Sequence, residues 1–305
     1  KDEKEKSGAE TACVVNLLGR REERTVSLPI TSPHGTQSFR VWDGDRLLSS
    51  QYMAERRFAD GTKNAGTLMF RAALPAFGVK SFRMEPVETE ESGCMAWVDG
   101  AFAYLETDVY AIRFDLEHGG TIDSLVDKRR QVDLVDRKNE RKFNEYSGFF
   151  IRENRFLSNV GQRAEAVVKA EGPVCAELEF QGAVGPVPFT QTVRVLAKES
   201  AIRIQAVFHF PEKTYIGDPH EMTPENDVQD GHRSYHDGRY KLNAWFPTAF
   251  EQAHLDKDAA YDVCQSREEN TYFSTWNAIK HNILLNWVDV TDGAQGLAVV
   301  ADHTT

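Results

Sequence analysis

Nowhere in the 305 residues does an apolar run approach the ~20 positions that a membrane-spanning helix requires, so no transmembrane helix is expected. Basic stripes are also missing. The 36 Lys and Arg are outnumbered by 47 Asp and Glu, giving a formal charge of −11, and a polyanion such as DNA would meet net repulsion. The expectation is of no nucleic-acid partner and no membrane partner. Cysteine is scarce: Cys13, Cys94, Cys175 and Cys264 are spread along the chain, a spacing that suits neither a zinc ribbon nor a disulfide-dense scaffold. They read as small buried apolar residues, and the redox compartment stays open. The opening KDEKEKSGAE lacks an apolar core, so residues 1–12 read as a solvated linker rather than a signal peptide, and such a linker implies a preceding segment. Catalytic motifs are absent too: there is no GxSxG, P-loop, HExxH, CxxC or strand-to-helix GxGxxG.

What is present has period two, which sends alternate side chains to opposite faces of a sheet. In AIRIQAVFHF, Ile202, Ile204, Ala206, Phe208 and Phe210 share one face, while Arg203, Gln205 and His209 share the other. In VYAIRFDLEHGGTI, Tyr110, Ile112, Phe114 and Leu116 alternate with polar or small residues before Gly119-Gly120 supplies the positive φ of a tight turn. VCAELEF repeats the pattern with Val174, Ala176, Leu178 and Phe180. TQTVRVLA follows a Gly185/Pro186/Pro188 break that a strand interior is not expected to tolerate. Gly44, Gly61 and Asp292-Gly293 read as further hairpin turns. Helical signal is confined to DLVDRKNERKFNEY, which offers a few turns without a clear 3.6-residue stripe.

Strands without intervening helices predict a mainly β fold of antiparallel sheets packed as sandwiches. The acidic stretch PVETEESG marks a boundary. Residues 13–88, with strands expected at 13–18, 24–30, 38–42, 68–74 and 80–84, form a small β-sandwich domain, and residues 98–305 form a larger one.

The exception is YIGDPHEMTPENDVQDGHRSYHDGRY, residues 215–240, a polar excursion longer than ordinary loops. It gathers His220, Glu221, Asp230, His232, His236 and Asp237, ligand types that suit zinc and acid–base work. The spacing His220-x11-His232-x3-His236 matches no strong ligand motif, so no metal ligand or catalytic residue is assigned; a solvated loop covering a sheet edge is the plainer reading. Trp42, Trp97, Trp245, Trp276 and Trp287 are aromatic faces on which sugars could stack, although tryptophan in a β-rich core is the commoner use. Asp289 and Asp292 near Trp287 resemble a carboxylate pair, yet turn chemistry explains Asp292 better. The substrate-binding candidates are His220, Asp230, His232 and Trp287.

Three stretches in order, CVVNLLGRREERTVSLPI, RVWDGDRLLSSQY and LMFRAALPAFGVKSFRM, resemble the small β domain in the middle of glycoside hydrolase family 38 α-mannosidases. LETDVYAIRFDLEHGGTIDSLVDKRRQVDLVD is similar to the start of that family's large C-terminal sandwich, with its I-x-S-L-x-D-K segment. NWVDVTDGAQGLAVVADHTT is similar to its late W-x-D-x-x-D-G-x-x-G-L-A hairpin. The resemblance implies a galactose-mutarotase-like large sandwich, truncated at its C-terminal end because further strands follow that hairpin in the family. It implies a parent enzyme that hydrolyses terminal α-mannosides with retained configuration, using zinc and an aspartate nucleophile on an upstream α/β barrel. No stretch here resembles that barrel, so no nucleophile, metal ligand or cofactor is carried over to this chain. The implied partners are the upstream barrel of the same polypeptide, which this region would support, and a mannose-containing glycan, whose cleft it would help shape. Two rivals stand beside this reading: a stand-alone carbohydrate-binding module, and a mutarotase-like aldose epimerase with His220 or His232 as acid or base.

Overall fold

The computed structural model describes residues 10–210, 214–217, 240–259, 262–266 and 286–301. The period-two stretches form strands. The first seven are β1 (Glu10–Val15), β2 (Glu22–Thr31), β3 (Ser38–Asp43), β4 (Arg46–Leu48), β5 (Ser50–Arg57), β6 (Lys63–Leu74) and β7 (Val79–Val87). They make two antiparallel sheets, ordered β1-β7-β3-β4 and β2-β6-β5. Both sheets turn side chains into one core, where Val41, Tyr52, Leu68, Phe70 and Phe82 are sealed from solvent. β1 begins earlier than expected: Glu10, Thr11 and Ala12 pair with Met84, Arg83 and Phe82, which takes three residues from the expected linker. β4 and β5 have no counterpart among the expected strands. The first is too short to show alternation, and register shifts at Ala54/Arg56 and Arg56/Arg57 break it in the second.

The next eleven are β8 (Met95–Asp99), β9 (Phe102–Glu106), β10 (Tyr110–Asp115), β11 (Thr121–Asp127), β12 (Val132–Asp133), β13 (Glu145–Phe150), β14 (Arg155–Ser158), β15 (Glu165–Ala170), β16 (Cys175–Val184), β17 (Val187–Leu196) and β18 (Ile202–Phe208). A five-stranded sheet, β12-β11-β10-β9-β8, faces a four-stranded one, β15-β16-β17-β18. Ile112, Phe114, Ile122 and Leu125 from the first meet Ala176, Leu178, Phe180 and Val193 from the second. The remaining described strands are β19 (Asn243–Trp245), β20 (His254–Ala259), β21 (Asp262–Ser266), β22 (Trp287–Thr291) and β23 (Gly296–Val300). They complete the sheets β14-β13-β19 and β21-β20-β22-β23. The chain is mainly β, with strands paired antiparallel.

Three expectations need correction. DLVDRKNERKFNEY holds no helical turns: it runs from β12 through turns into β13, and a short 3-10 turn comes later, at Asn159–Gly161. Pro188 lies inside β17, opposite Ala183. Its carbonyl accepts from His209 N at 2.8 Å just beyond the end of β18, so the proline falls at the margin of that ladder, past the last paired residues Phe189 and Phe208. Cys13 is exposed on β1, whereas Cys94 and Cys175 are buried as expected; all three are free thiols.

The two sandwiches meet at a polar seam. Gln51 of β5 is buried there: its Oε1 accepts from Val174 N at 3.0 Å and Cys175 N at 2.8 Å, and its Nε2 donates to Glu171 O at 3.0 Å. Gly172 lets the two backbones approach this closely, because a Cβ there would stand 2.6 Å from Gln51 Cδ. Met53, Met69, Val174, Cys175 and Leu196 pack as a small apolar cluster beside the amide.

Candidate functional site

Strand β13 is the centre of the polar chemistry in the large sandwich. All six of its residues are buried, including Glu145 and Ser147. Asn144, just before it, takes φ +63, a conformation asparagine tolerates better than most residues. The Glu145 carboxylate would be costly to bury alone. It accepts from Arg141 Nη1 at 2.9 Å, Ser158 Oγ at 2.8 Å and Lys142 N at 2.8 Å. The Arg141 guanidinium also lies 4.7 Å from the centroid of the Trp245 ring, and Trp245 Nε1 donates to Ser147 Oγ at 2.7 Å. Behind this layer, Asn144 Nδ2 and Tyr146 Oη both donate to Gln191 Oε1, while Asn144 Oδ1 is buried without a partner among the described residues. Burial pushes the Tyr146 phenol up, so it remains a neutral donor.

This arrangement fixes structure before it offers reactivity. Glu145 is held by three donors, and abstracting a proton would require giving one up. It acts as counter-charge to Arg141 at the foot of β13.

The other end of β13 roots the polar excursion. Ile151 N donates to Tyr215 O at 3.0 Å and Gly217 N donates to Phe149 O at 3.0 Å, while the Tyr240 ring stands 5.2 Å from both Phe149 and Phe156. Both described ends of the excursion therefore converge on the β13–β14 pair. His220, Asp230 and His232 lie outside the described residues, as do Glu221, His236 and Asp237. Trp287, the remaining candidate, is half-buried at the start of β22, where its backbone N donates to Asp258 Oδ1 at 3.0 Å and it pairs with Val300. Burial acts to raise the Asp258 carboxyl, but the N–H groups of Trp287 and Asn286 outweigh it and hold the group below its ordinary range. Asp292 is a turn residue: its Oδ1 accepts from Ala294 N and Gln295 N, both at 2.9 Å, beside Gly293 at φ +87. Sequence reasoning missed Arg141 and Glu145, because NEYSGFF sits at the end of a stretch read as helical; its run of small and aromatic residues was the available sign of a buried strand.

Among the described residues no group of three or more His, Cys, Asp or Glu side chains could hold a metal ion. The described residues do not fit a zinc centre.

The family model for the glycosyl hydrolases family 38 C-terminal domain matches residues 105–305. The chain belongs to glycosyl hydrolase family 38. The match begins inside β9, yet the core of this family 38 sandwich continues N-terminally through Ala103 and Ala96 to Cys94. A search of curated proteins finds no match. Among solved structures, the chain is similar to an alpha-mannosidase from Enterococcus faecalis V583, with a TM-score of 0.60 and 14% identity. The likeness covers 96% of this chain and 37% of that one, so the family 38 region spans well under half the length of the relative. At that identity the likeness establishes the fold.

Proposed function

We propose that this chain is the non-catalytic β region of a zinc-dependent, retaining α-mannosidase that removes terminal α-mannose, and that it supports the catalytic barrel and shapes the sugar cleft. The observation that carries the reading is the family 38 C-terminal domain match over residues 105–305, on a fold that superposes along nearly its whole length on part of an alpha-mannosidase. The saturated state of Glu145 supports it as well: the single carboxylate of β13 is engaged in holding the local structure together. On this reading zinc and the nucleophile are supplied by the barrel, and no step of the reaction passes through the residues described here.

The test is an assay of the purified chain with p-nitrophenyl α-mannopyranoside and added Zn²⁺, beside a polypeptide that carries the chain together with an upstream barrel. Cleavage is expected from the longer polypeptide alone. Release of nitrophenol by the 305-residue chain would overturn the proposal, as would a longer polypeptide that keeps full activity when this region is deleted.

A further inference from the structure

The outward face of the five-stranded sheet carries an arrangement that the supporting role does not use. Trp97 on the edge strand β8 and Tyr104 on β9 are cross-strand partners whose rings stack with centroids 4.7 Å apart and planes 8° apart. Trp97 nevertheless remains 37% exposed, which a ring serving only as core filling would not be. Next in the same row is Arg113 on β10, opposite Tyr104, with its guanidinium carbon 5.2 Å from the Phe102 ring. Arg113 Nε donates to Asp123 Oδ2 at 2.8 Å, and Nη2 donates to the same oxygen. Arg137 continues the line: its Nε donates to Asp123 O at 3.0 Å and its Nη2 to Asp133 Oδ2 at 2.6 Å. Beyond it lies an open cleft of about 450 Å³ lined by Asp133, Asp136, Arg137, Lys138, Thr248 and Glu251 among others.

Aromatic rings thus sit at one end, a polar cleft at the other, and an ion-paired row connects them across four strands, about 14 Å at ordinary strand spacing. Asp133 is fully engaged, since its oxygens also accept from Leu125 N, Val135 N and Ser124 Oγ. Arg113 Nη1, Asp123 Oδ1 and Tyr104 Oη, in contrast, have no hydrogen-bond partner among the described residues. Open donors and acceptors held rigidly by their own ion pair, beside an exposed ring, match the alternating hydroxyl edges and C–H faces of pyranose sugars. A neutral sugar fits better than an acidic one, because the chain carries −11 and the same face already presents Asp99, Glu106, Asp115 and Asp123.

We propose that this face binds neutral hexopyranose oligosaccharides, with Trp97 stacked on one sugar ring and Arg113, Asp123 and Tyr104 hydrogen-bonded to the hydroxyls of the next. The site is a binding surface with no step of catalysis assigned to it. It goes beyond the supporting role, and because its readout is binding rather than hydrolysis, either proposal can fail without the other.

Calorimetric titration of the protein with mannotriose, and separately with trigalacturonate as the acidic comparison, tests it. Saturable heat is expected with mannotriose and none with trigalacturonate. Trp97→Ala should weaken mannotriose binding by about tenfold or more, and Trp97→Phe, which keeps a ring, by less. Asp123→Ala should weaken it by several-fold and carries the test should the alanine variant at Trp97 fail to fold. The proposal is overturned by an absence of saturable binding, by preference for the acidic sugar, or by binding unchanged in both Trp97→Ala and Asp123→Ala. It is also overturned by sedimentation showing a wild-type dimer that Trp97→Ala dissociates, which would assign the face to a second copy.

Discussion

Phe180 and Gln51 are both buried, yet they hold the molecule together in different ways. Phe180 sits between the two facing sheets of the large sandwich, 4.8 Å by centroid from Phe114 and against Gly120. Its contacts are many and individually weak, and they impose little direction. Gln51 makes three hydrogen bonds, all to backbone groups of the strand and turn at 171–175, and each has a defined angle. The sandwich interior supplies stability, and the seam supplies a fixed relation between one sandwich and the next. For a region proposed to buttress another domain, the second property matters as much as the first.

The largest effect is expected in the interior. Phe180→Ala removes a ring that is completely buried among close-packed neighbours, and should destabilise the protein by about 3–5 kcal/mol, read as a lower urea midpoint. A loss below about 1 kcal/mol would mean that the facing sheets collapse onto the gap, and the interior would then be less well packed than its burial implies. At the seam, Gln51→Ala leaves the Val174 and Cys175 N–H groups without their acceptor and should cost about 1–3 kcal/mol. It should also have a local signature that Phe180→Ala lacks under native conditions. Burial pushes the Cys175 thiol up to about 12, so it reacts slowly with a thiol reagent at pH 8 while the exposed Cys13 reacts quickly. Loosening the seam should make Cys175 labelling faster without unfolding the interior.

A smaller contrast is electrostatic. Asp127 lies at the end of β11, where Arg129 donates from Nε and Nη2 at 3.2 Å each and from its backbone N at 2.9 Å. The Arg129 side-chain bonds, ahead of an opposing effect of burial, hold the Asp127 carboxyl below its ordinary range. A carboxyl with a depressed folded value binds its proton more readily when unfolded. Its contribution is therefore present above the unfolded value near pH 4 and is lost as pH falls through the lower folded value. Thermal melts between pH 6 and pH 2 should show Asp127→Asn less stable than the parent at pH 6, with the gap closing toward pH 2. A gap that stays constant would assign the effect to packing.

How much of this was legible in the sequence follows from the kind of contact involved. β10 and β18 are half-buried strands, and their alternation is visible in the letters because one face meets a core and the other meets water. The opening of β16 differs: Cys175, Ala176, Glu177 and Leu178 are all buried, since its second face meets the seam, and alternation alone does not forecast that. β13 was hidden for the same reason, as strands covered on both faces carry no period-two signal. Gln51 was invisible because its partners are backbone groups brought near by folding, whereas Arg141 was missed because its stretch, Glu145 included, reads as helical. Trp97 stood among five tryptophans with nothing in its neighbours to separate a surface ring from a core ring, and only its cross-strand pairing with Tyr104 on an edge strand does so.

The smallest effect expected lies outside both interior and seam, and it calibrates the others. Arg20 Nε and Glu22 Oε1 stand 2.8 Å apart, as close as many of the seam contacts, so distance alone would rank the pair with them. The Arg20 side chain, however, is 78% exposed, and water competes for every donor it has. Forming the pair also orders a long side chain at the mouth of β2. Arg20→Ala should therefore change stability by less than about 0.5 kcal/mol, with the difference shrinking further in 0.5 M salt. If urea midpoints instead place it level with Gln51→Ala, burial is not what separates the seam from the surface. Direction and desolvation would then have to be weighed again for Gln51, whose three bonds gain their worth from the orphaned N–H groups they prevent.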